Sequence, residues 1–174
     1  MDINTNDITF NIEELLVSSY IEAGKSLDLS TQVGALLVNE SGEILSSGSN
    51  NFPDQILNLE YRHKRPDKYL YTEHAERNAI FAAAKSGIST DGLIMVCAWA
   101  ACADCARAII NSGISCLIRH KNKSLSPKLE KRWNESITVG DLMLKESGIC
   151  VIEVDPVGGY YLLRDGALFN TSEL

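Results

Sequence analysis

LIMVCAWAACADCARAIINSGISCLIRH, residues 93–120, is the stretch whose reading decides the fold. Residues 93–99 (LIMVCAW) are an unbroken apolar run of strand length, as expected of a strand covered on both faces. Residues 102–113 (CADCARAIINSG) have helix formers and end on a glycine, the common left-handed stop. Residues 115–120 (SCLIRH) are again strand-like. A strand, a helix and a strand in so few residues imply a right-handed crossover between parallel neighbours.

Downstream, residues 137–148 (ITVGDLMLKESG) read as a helix and 149–155 (ICVIEVD) as a strand, which repeats the unit. Upstream, residues 11–26 place Leu15, Leu16, Tyr20 and Ala23 at helical spacing behind Glu13 and Glu14. Residues 33–39 (VGALLVN) and 43–50 (EILSSGSN) flank Glu40-Ser41-Gly42 as a hairpin of two strands. Residues 74–87 (HAERNAIFAAAKSG) form an Ala-rich helix with a glycine stop. The expected fold is therefore α/β: a three-layer α/β/α sandwich around a five-stranded mixed sheet, antiparallel in its first half and parallel in its second. No linker or repeat divides the chain, so a single domain over 1–174 is expected, with its core at about 10–155 and an extension at 156–174. Residues 160–169 (YYLLRDGALF) suit an extra edge strand or a loosely packed tail.

The chain holds five cysteines, an odd number that argues against a disulfide framework. Cys97, Cys116 and Cys150 sit singly in apolar runs and read as small buried hydrophobes. Cys102 and Cys105 instead stand at i and i+3, on one side of the first turn of a helix. His74 opens the other Ala-rich helix, with Glu76 two residues on. One histidine and two thiolates are good zinc ligands, and three protein ligands leave a fourth position for water, the arrangement of catalytic rather than structural zinc. Two residues on a regular helix lie about 200° apart, so His74 and Glu76 can converge only at a helix end, where the sequence puts them. His63 and His120 have no ligand spacing to anything, and Arg107 reads as a support of the fold or of an interface.

TEHAERNAIFAAAKSG and ACADCARAIINSGI resemble the cytidine and deoxycytidylate deaminase superfamily, nearest its deoxycytidylate deaminases, whose signature is H-x-E followed by P-C-x-x-C. STQVGALLVN, GSNNFP, RPDKYLYTEHAERNAI and GICVIEVD also resemble segments of that family in order, so the likeness covers about residues 10–155. It implies a cytidine deaminase-like fold and zinc-dependent hydrolytic deamination of a cytosine nucleotide, dCMP to dUMP with release of ammonia. It further implies that His74, Cys102 and Cys105 hold Zn²⁺, that Glu76 moves protons, that the Ala75 N–H meets the pyrimidine carbonyl and that Asn50 bonds a sugar hydroxyl. A homo-oligomer is implied by the same likeness. Two departures stand out: Ala100-Ala101 replaces the proline before the first cysteine, and Asn51 replaces a glycine. Deamination of another amino-substituted base, and a zinc protein without catalysis, are the alternatives. Retention of Glu76 opposes the second.

Sixteen Lys and Arg against twenty-three Asp and Glu give a formal charge of −7, which disfavours a polynucleotide or an anionic membrane as partner. Ten of the cations nevertheless fall in two short stretches. Arg62, Lys64, Arg65 and Lys68 lie in the long loop leading to His74, where Arg65 and Lys68 are candidates to neutralise a 5′-phosphate on a small-molecule nucleotide; salt bridges to Glu60 and Asp67 are the competing use. The stretch 119–132 reads as an exposed face or a subunit contact. Asn50 could equally be a turn residue after the second strand. The longest apolar run, residues 93–103, is too short to span a bilayer, and the acidic N-terminus lacks a signal core, so a cytoplasmic location is expected.

Overall fold

A computed structural model describes residues 8–121 and 127–173, with residues 127–132 and 173 described by backbone alone. The elements are α1 (Ile12–Ala23), β1 (Gly34–Val38), β2 (Ile44–Ser49), a 3₁₀ turn (Glu60–His63), α2 (Lys68–Tyr71), α3 (Ala75–Lys85), β3 (Ile94–Cys97), α4 (Ala103–Asn111), β4 (Cys116–His120), α5 (Pro127–Glu146), β5 (Cys150–Val154), β6 (Tyr161–Arg164) and β7 (Ala167–Asn170). The first five strands form one mixed sheet in the order β2-β1-β3-β4-β5. β1 runs antiparallel to both β2 and β3, whereas β3-β4 and β4-β5 are parallel. This is the expected five-stranded mixed α/β sheet.

Strand alternation sorts the side chains into two cores. Ala35, Leu37, Met95, Cys97 and Leu117 face α3, α4 and α5, where they meet Ala79, Cys105, Ile109 and Leu144. Leu36, Val38, Ile94, Val96 and Ile118 face the opposite way, against Leu15, Leu16 and Tyr20 of α1 and Leu162 of β6. β1, β3 and β4 are buried at every position, which explains their continuous apolar reading. Among the described residues no helix is long and apolar enough to cross a membrane. All five cysteines are free, and Cys97 and Cys116 are wholly buried in the cores.

α3 packs unusually close to β2. A Cβ on Gly48 would stand 2.4 Å from the Ala79 amide nitrogen and 2.8 Å from the Ala75 carbonyl oxygen, so only a glycine allows this approach. The Asn78 amide donates to the Ser49 carbonyl at 2.8 Å and the Ser46 hydroxyl to that of Ala79 at 2.7 Å, which fixes the helix lengthwise.

The loop leading to His74 carries the short 3₁₀ turn and α2, and two larger elements differ from the sequence expectation. α5 begins at Pro127 rather than near 137, because its first turns are too polar to show a helical period while proline suits a helix start. Residues 160–169 form neither an edge strand nor a loose tail but a separate two-stranded hairpin, β6-β7. Asp165 and Gly166 form its turn with φ of 51° and 84°, the two left-handed positions of a tight hairpin. Leu163 exchanges hydrogen bonds with Gln32, its N–H to the Gln32 Oε1 and its carbonyl from the Gln32 N–H, and Gly166 N–H donates to Ser30 O at 2.8 Å. The hairpin is thus strapped to the segment before β1, completing the α1 layer.

Beneath that layer, Tyr20 and His120 form a buried pair at 2.6 Å from Oη to Nε2. Burial pushes the Tyr20 hydroxyl up to about 12, so it stays protonated at neutral pH, and it also accepts from the Val157 N–H at 3.2 Å. Burial, aided by the Arg164 charge, lowers His120 from 6.5 to about 4. Unfolded His120 therefore binds a proton between these values while the folded ring does not, so stability falls as pH drops from about 6.5 toward 4. The expected slope is at most about 1.4 kcal/mol per pH unit. Denaturant melts of the wild type and His120→Gln across this window check it: the variant should lose that part of the slope.

Arg119, in contrast, is buried between Asp141 of α5 and Glu153 of β5, with hydrogen bonds of 2.5 and 2.8 Å. It ties three elements together and is not an exposed cation. Lys121 pairs with Asp155 at the surface. Lys123 of the second basic stretch lies outside the described residues.

Candidate active site

His74 is the N-cap of α3 and Cys102 the N-cap of α4, so two helix N-termini meet at one end of the sheet. Cys105 follows in the first turn of α4. The His74 Nδ1 lies 3.5 Å from the Cys102 Sγ and 3.4 Å from the Cys105 Sγ. The three ligand atoms lie within 4.8 Å of one another. A tetrahedral ion with Zn–S of about 2.3 Å and Zn–N of about 2.0 Å would hold nitrogen and sulfur about 3.5 Å apart. The observed spacing fits zinc.

The electrostatics fit as well. Cys105 donates to Cys102, and His74 adds a second hydrogen bond, holding the Cys102 thiol down at about 4 despite burial. The same bond to Cys102, together with burial and the neighbouring Glu76, pushes Cys105 far up. Without a cation, then, the pair keeps one proton; a metal ion in their midst lets both be thiolates. Burial works against a charged His74, but the Cys102 bond and the Glu76 charge outweigh it and raise its pKa.

Glu76 is buried beside this cluster, in the first turn of α3. Burial raises its carboxyl, and the Cys102 charge adds to that, against the opposing pull of His74. A carboxyl that keeps its proton more readily than usual suits an acid and base near neutral pH. Ala75 precedes it, at the first helical position, where an amide N–H has no acceptor within the helix. The turn carrying Cys102 is held from α5: the Ala103 N–H donates to the Ser136 Oγ at 3.1 Å. That bond steadies a turn in which Ala100-Ala101 occupies the place of the proline.

Above the cluster opens a cavity lined by His74, Ala75, Glu76 and Cys102 at its floor, with Asn50, Arg65, Lys68, Trp99, Trp133 and Arg164 among its walls. The cavity thus brings together all the sequence candidates except Cys105, which lies behind Cys102. Their availability differs. The Lys68 ammonium is buried against Asp28 at 2.5 Å, so its charge is already matched within the fold. Asp28 also accepts from the N–H groups of Ser30 and Thr31, and the Lys68 pair therefore organises the segment before β1. The Asn50 amide serves the same segment, donating to Thr31 O at 2.7 Å and accepting from Val33 N–H at 2.8 Å, which leaves one lone pair of Oδ1. Arg65 stands at the rim, bonded to the Tyr69 hydroxyl at 2.9 Å and paired with Asp165 at 3.4 Å, rather than with Asp67. Asn51 bonds Leu27 N–H and Ser49 Oγ, closing the end of β2.

Three of the wall residues named above, Trp133, Trp99 and Arg164, are not among the sequence candidates. Trp133 of α5 sets its ring edge-on to His74, with centroids 5.9 Å apart, and covers the cluster from outside. Trp99 follows β3, and Arg164 ends β6. Trp99 closes the apolar run before the cysteine pair, a position that marks it as a neighbour of the site; Trp133 and Arg164 carry no such signal. Outside the cavity, Arg107 pairs with Asp104 on the α4 surface, and His63 bonds Asn58 in the loop.

The comparisons with known proteins agree with this geometry. Residues 11–121 match the family described as the cytidine and deoxycytidylate deaminase zinc-binding region. The chain is 31% identical to the deoxycytidylate deaminase of Mus musculus over 150 residues, 83% of this chain and 79% of the mouse protein. It is 34% identical to an uncharacterized deaminase of Aliivibrio fischeri over 128 residues, 71% of this chain and 80% of that one. Among solved structures, the dCMP deaminase of the cyanophage S-TIM5, determined in complex with dCMP and dUMP, superposes with a TM-score of 0.62 at 25% identity, covering 82% of this chain and 95% of the phage protein. The sequence match takes in both halves of the cluster, the histidine helix and the cysteine helix, and the phage enzyme shares the sheet that joins them. The chain therefore belongs to the cytidine and deoxycytidylate deaminase family.

Proposed function

We propose that the protein converts dCMP to dUMP and ammonia, with zinc held by His74, Cys102 and Cys105. The observation that carries this reading is the buried Glu76 carboxyl at the floor of the same cavity as a three-ligand cluster, because a purely structural metal site has no use for such a group. The likeness to deoxycytidylate deaminases supports the choice of base and sugar. When bound, zinc supplies Lewis acidity that makes water a nucleophile at neutral pH.

The chain's own residues do the rest. The Ala75 N–H holds the pyrimidine carbonyl, and the free lone pair of Asn50 Oδ1 receives a sugar hydroxyl, so that C4 faces the ligand cluster. Glu76 takes a proton from the attacking water as the C4–O bond forms and passes it to ring N3. It next takes the second water proton from the new C4 hydroxyl and delivers it to the exocyclic amine as the C4–N bond breaks, so that the C4 carbonyl forms, one water is consumed and ammonia leaves. Trp133 and Trp99 limit the access of bulk water to these transfers.

Ammonia release by the zinc-loaded protein, measured on cytosine, cytidine, deoxycytidine, dCMP and adenine and guanine compounds, tests the proposal. The highest kcat/KM is expected with dCMP. A higher value with any other compound moves the activity to that substrate, and no ammonia from any of them sinks the enzyme reading.

A further inference from the structure

Of the three cations lining the cavity, two are matched by carboxylates of the fold, Lys68 by Asp28 and Arg65 by Asp165. Arg164 is not. Among the described residues its guanidinium has no ion pair or hydrogen bond, although it is about half-buried. What it has instead is a seat: its Cζ lies 4.3 Å from the centre of the Trp99 ring and 5.8 Å from that of Phe169. Aromatic faces hold a guanidinium in place while leaving its in-plane N–H donors free. Strand alternation puts Arg164 on the same side of β6 as the buried Leu162, so this is an inward-pointing cation, not a solvated one. The hairpin that carries it is fixed by its bonds to Ser30, Thr31 and Gln32.

A half-buried cation on the wall of a binding cavity, with donors unspent, asks for an anion. We infer that Arg164 binds the 5′-phosphate of the nucleotide, making a nucleoside monophosphate rather than a nucleoside the substrate; the inference rests on the deaminase reading above. The fork of N–H donors matches two oxygens of a phosphate monoester. Arg65 at the rim, already partnered by Asp165, serves as a secondary cation. Arg164 lies outside residues 11–121, so the phosphate seat is supplied by a segment beyond the matched zinc-binding region.

The test compares Arg164→Gln and Arg164→Lys with the wild-type holoenzyme on dCMP and deoxycytidine, alongside calorimetric binding of dUMP and deoxyuridine. The ratio of kcat/KM for dCMP over deoxycytidine should fall by about 10- to 100-fold in Arg164→Gln, chiefly through KM for dCMP, with partial recovery in Arg164→Lys. The preference for dUMP over deoxyuridine in binding should fall alongside it. Activity on both substrates dropping together, with the ratio kept, shows a merely structural role and overturns the inference. So does a wild type that binds dUMP no better than deoxyuridine. Should the wild type turn over neither substrate yet bind dUMP in an Arg164-dependent way, the phosphate seat stands and the proposed reaction falls.

Discussion

Glu76→Gln is expected to leave the zinc in place and to lower kcat by about 10²- to 10⁴-fold, the range a positioned acid and base contributes. Glutamine keeps the shape of the side chain, so packing under α3 is preserved, and its amide can still bond a neighbour. It cannot take a proton from water or return one to N3 or to the leaving amine. Every step assigned to this position is a proton transfer, and therefore the whole reaction is affected rather than substrate capture alone. KM for dCMP should change far less than kcat, because Ala75, Asn50 and the cavity walls are untouched. Steady-state kinetics with metal analysis on the same preparation check this. Loss of zinc in the variant would make Glu76 a ligand, and unchanged kcat would remove it from the mechanism.

Cys105→Ser and His74→Ala are each expected to reduce zinc from about one equivalent per chain to a small fraction, and turnover with it. Neither variant can complete a three-ligand site. Cys105 is the sharper test, since it is fully buried behind Cys102 and does not line the cavity. A fall in activity at that position cannot arise from lost contact with substrate. Chelation of the wild type should reproduce the loss, and added zinc should restore it. A Cys105→Ser protein holding full zinc and full activity would show that the metal lies elsewhere.

The five strands of the mixed sheet, the two glycine-terminated helices and the His74, Glu76, Cys102 and Cys105 constellation were legible because each rests on a local signal: an apolar run, a helical period or a ligand spacing. The candidates drawn from charge have no such local signal. Lys68 lies in a basic cluster beside the cavity, yet its partner Asp28 is forty residues away in the chain, and no local pattern reveals that ion pair. Trp133 sits among polar residues that hide the start of α5, and only the folded helix brings it over His74. Arg164 was missed for a different reason. Asp165-Gly166 between YYLLR and ALFN is a strong hairpin signal, and reading it would have separated the two strands. It would not have shown that the hairpin folds back on residues 30–32, because that attachment joins backbone groups and the side chains of Thr31 and Gln32, which are more than 130 residues away in the chain.

Gly48 has no reactive atom and does not line the cavity, yet the reach of the imidazole to two sulfurs depends on it. α3 carries His74 and Glu76 together, while the cysteines ride on α4, so any side chain at residue 48 would lift one half of the constellation away from the other. In a mutational scan scored by activity, this position would rank with the ligands themselves. The chemistry of the site is thus written partly in a residue whose contribution is to be absent.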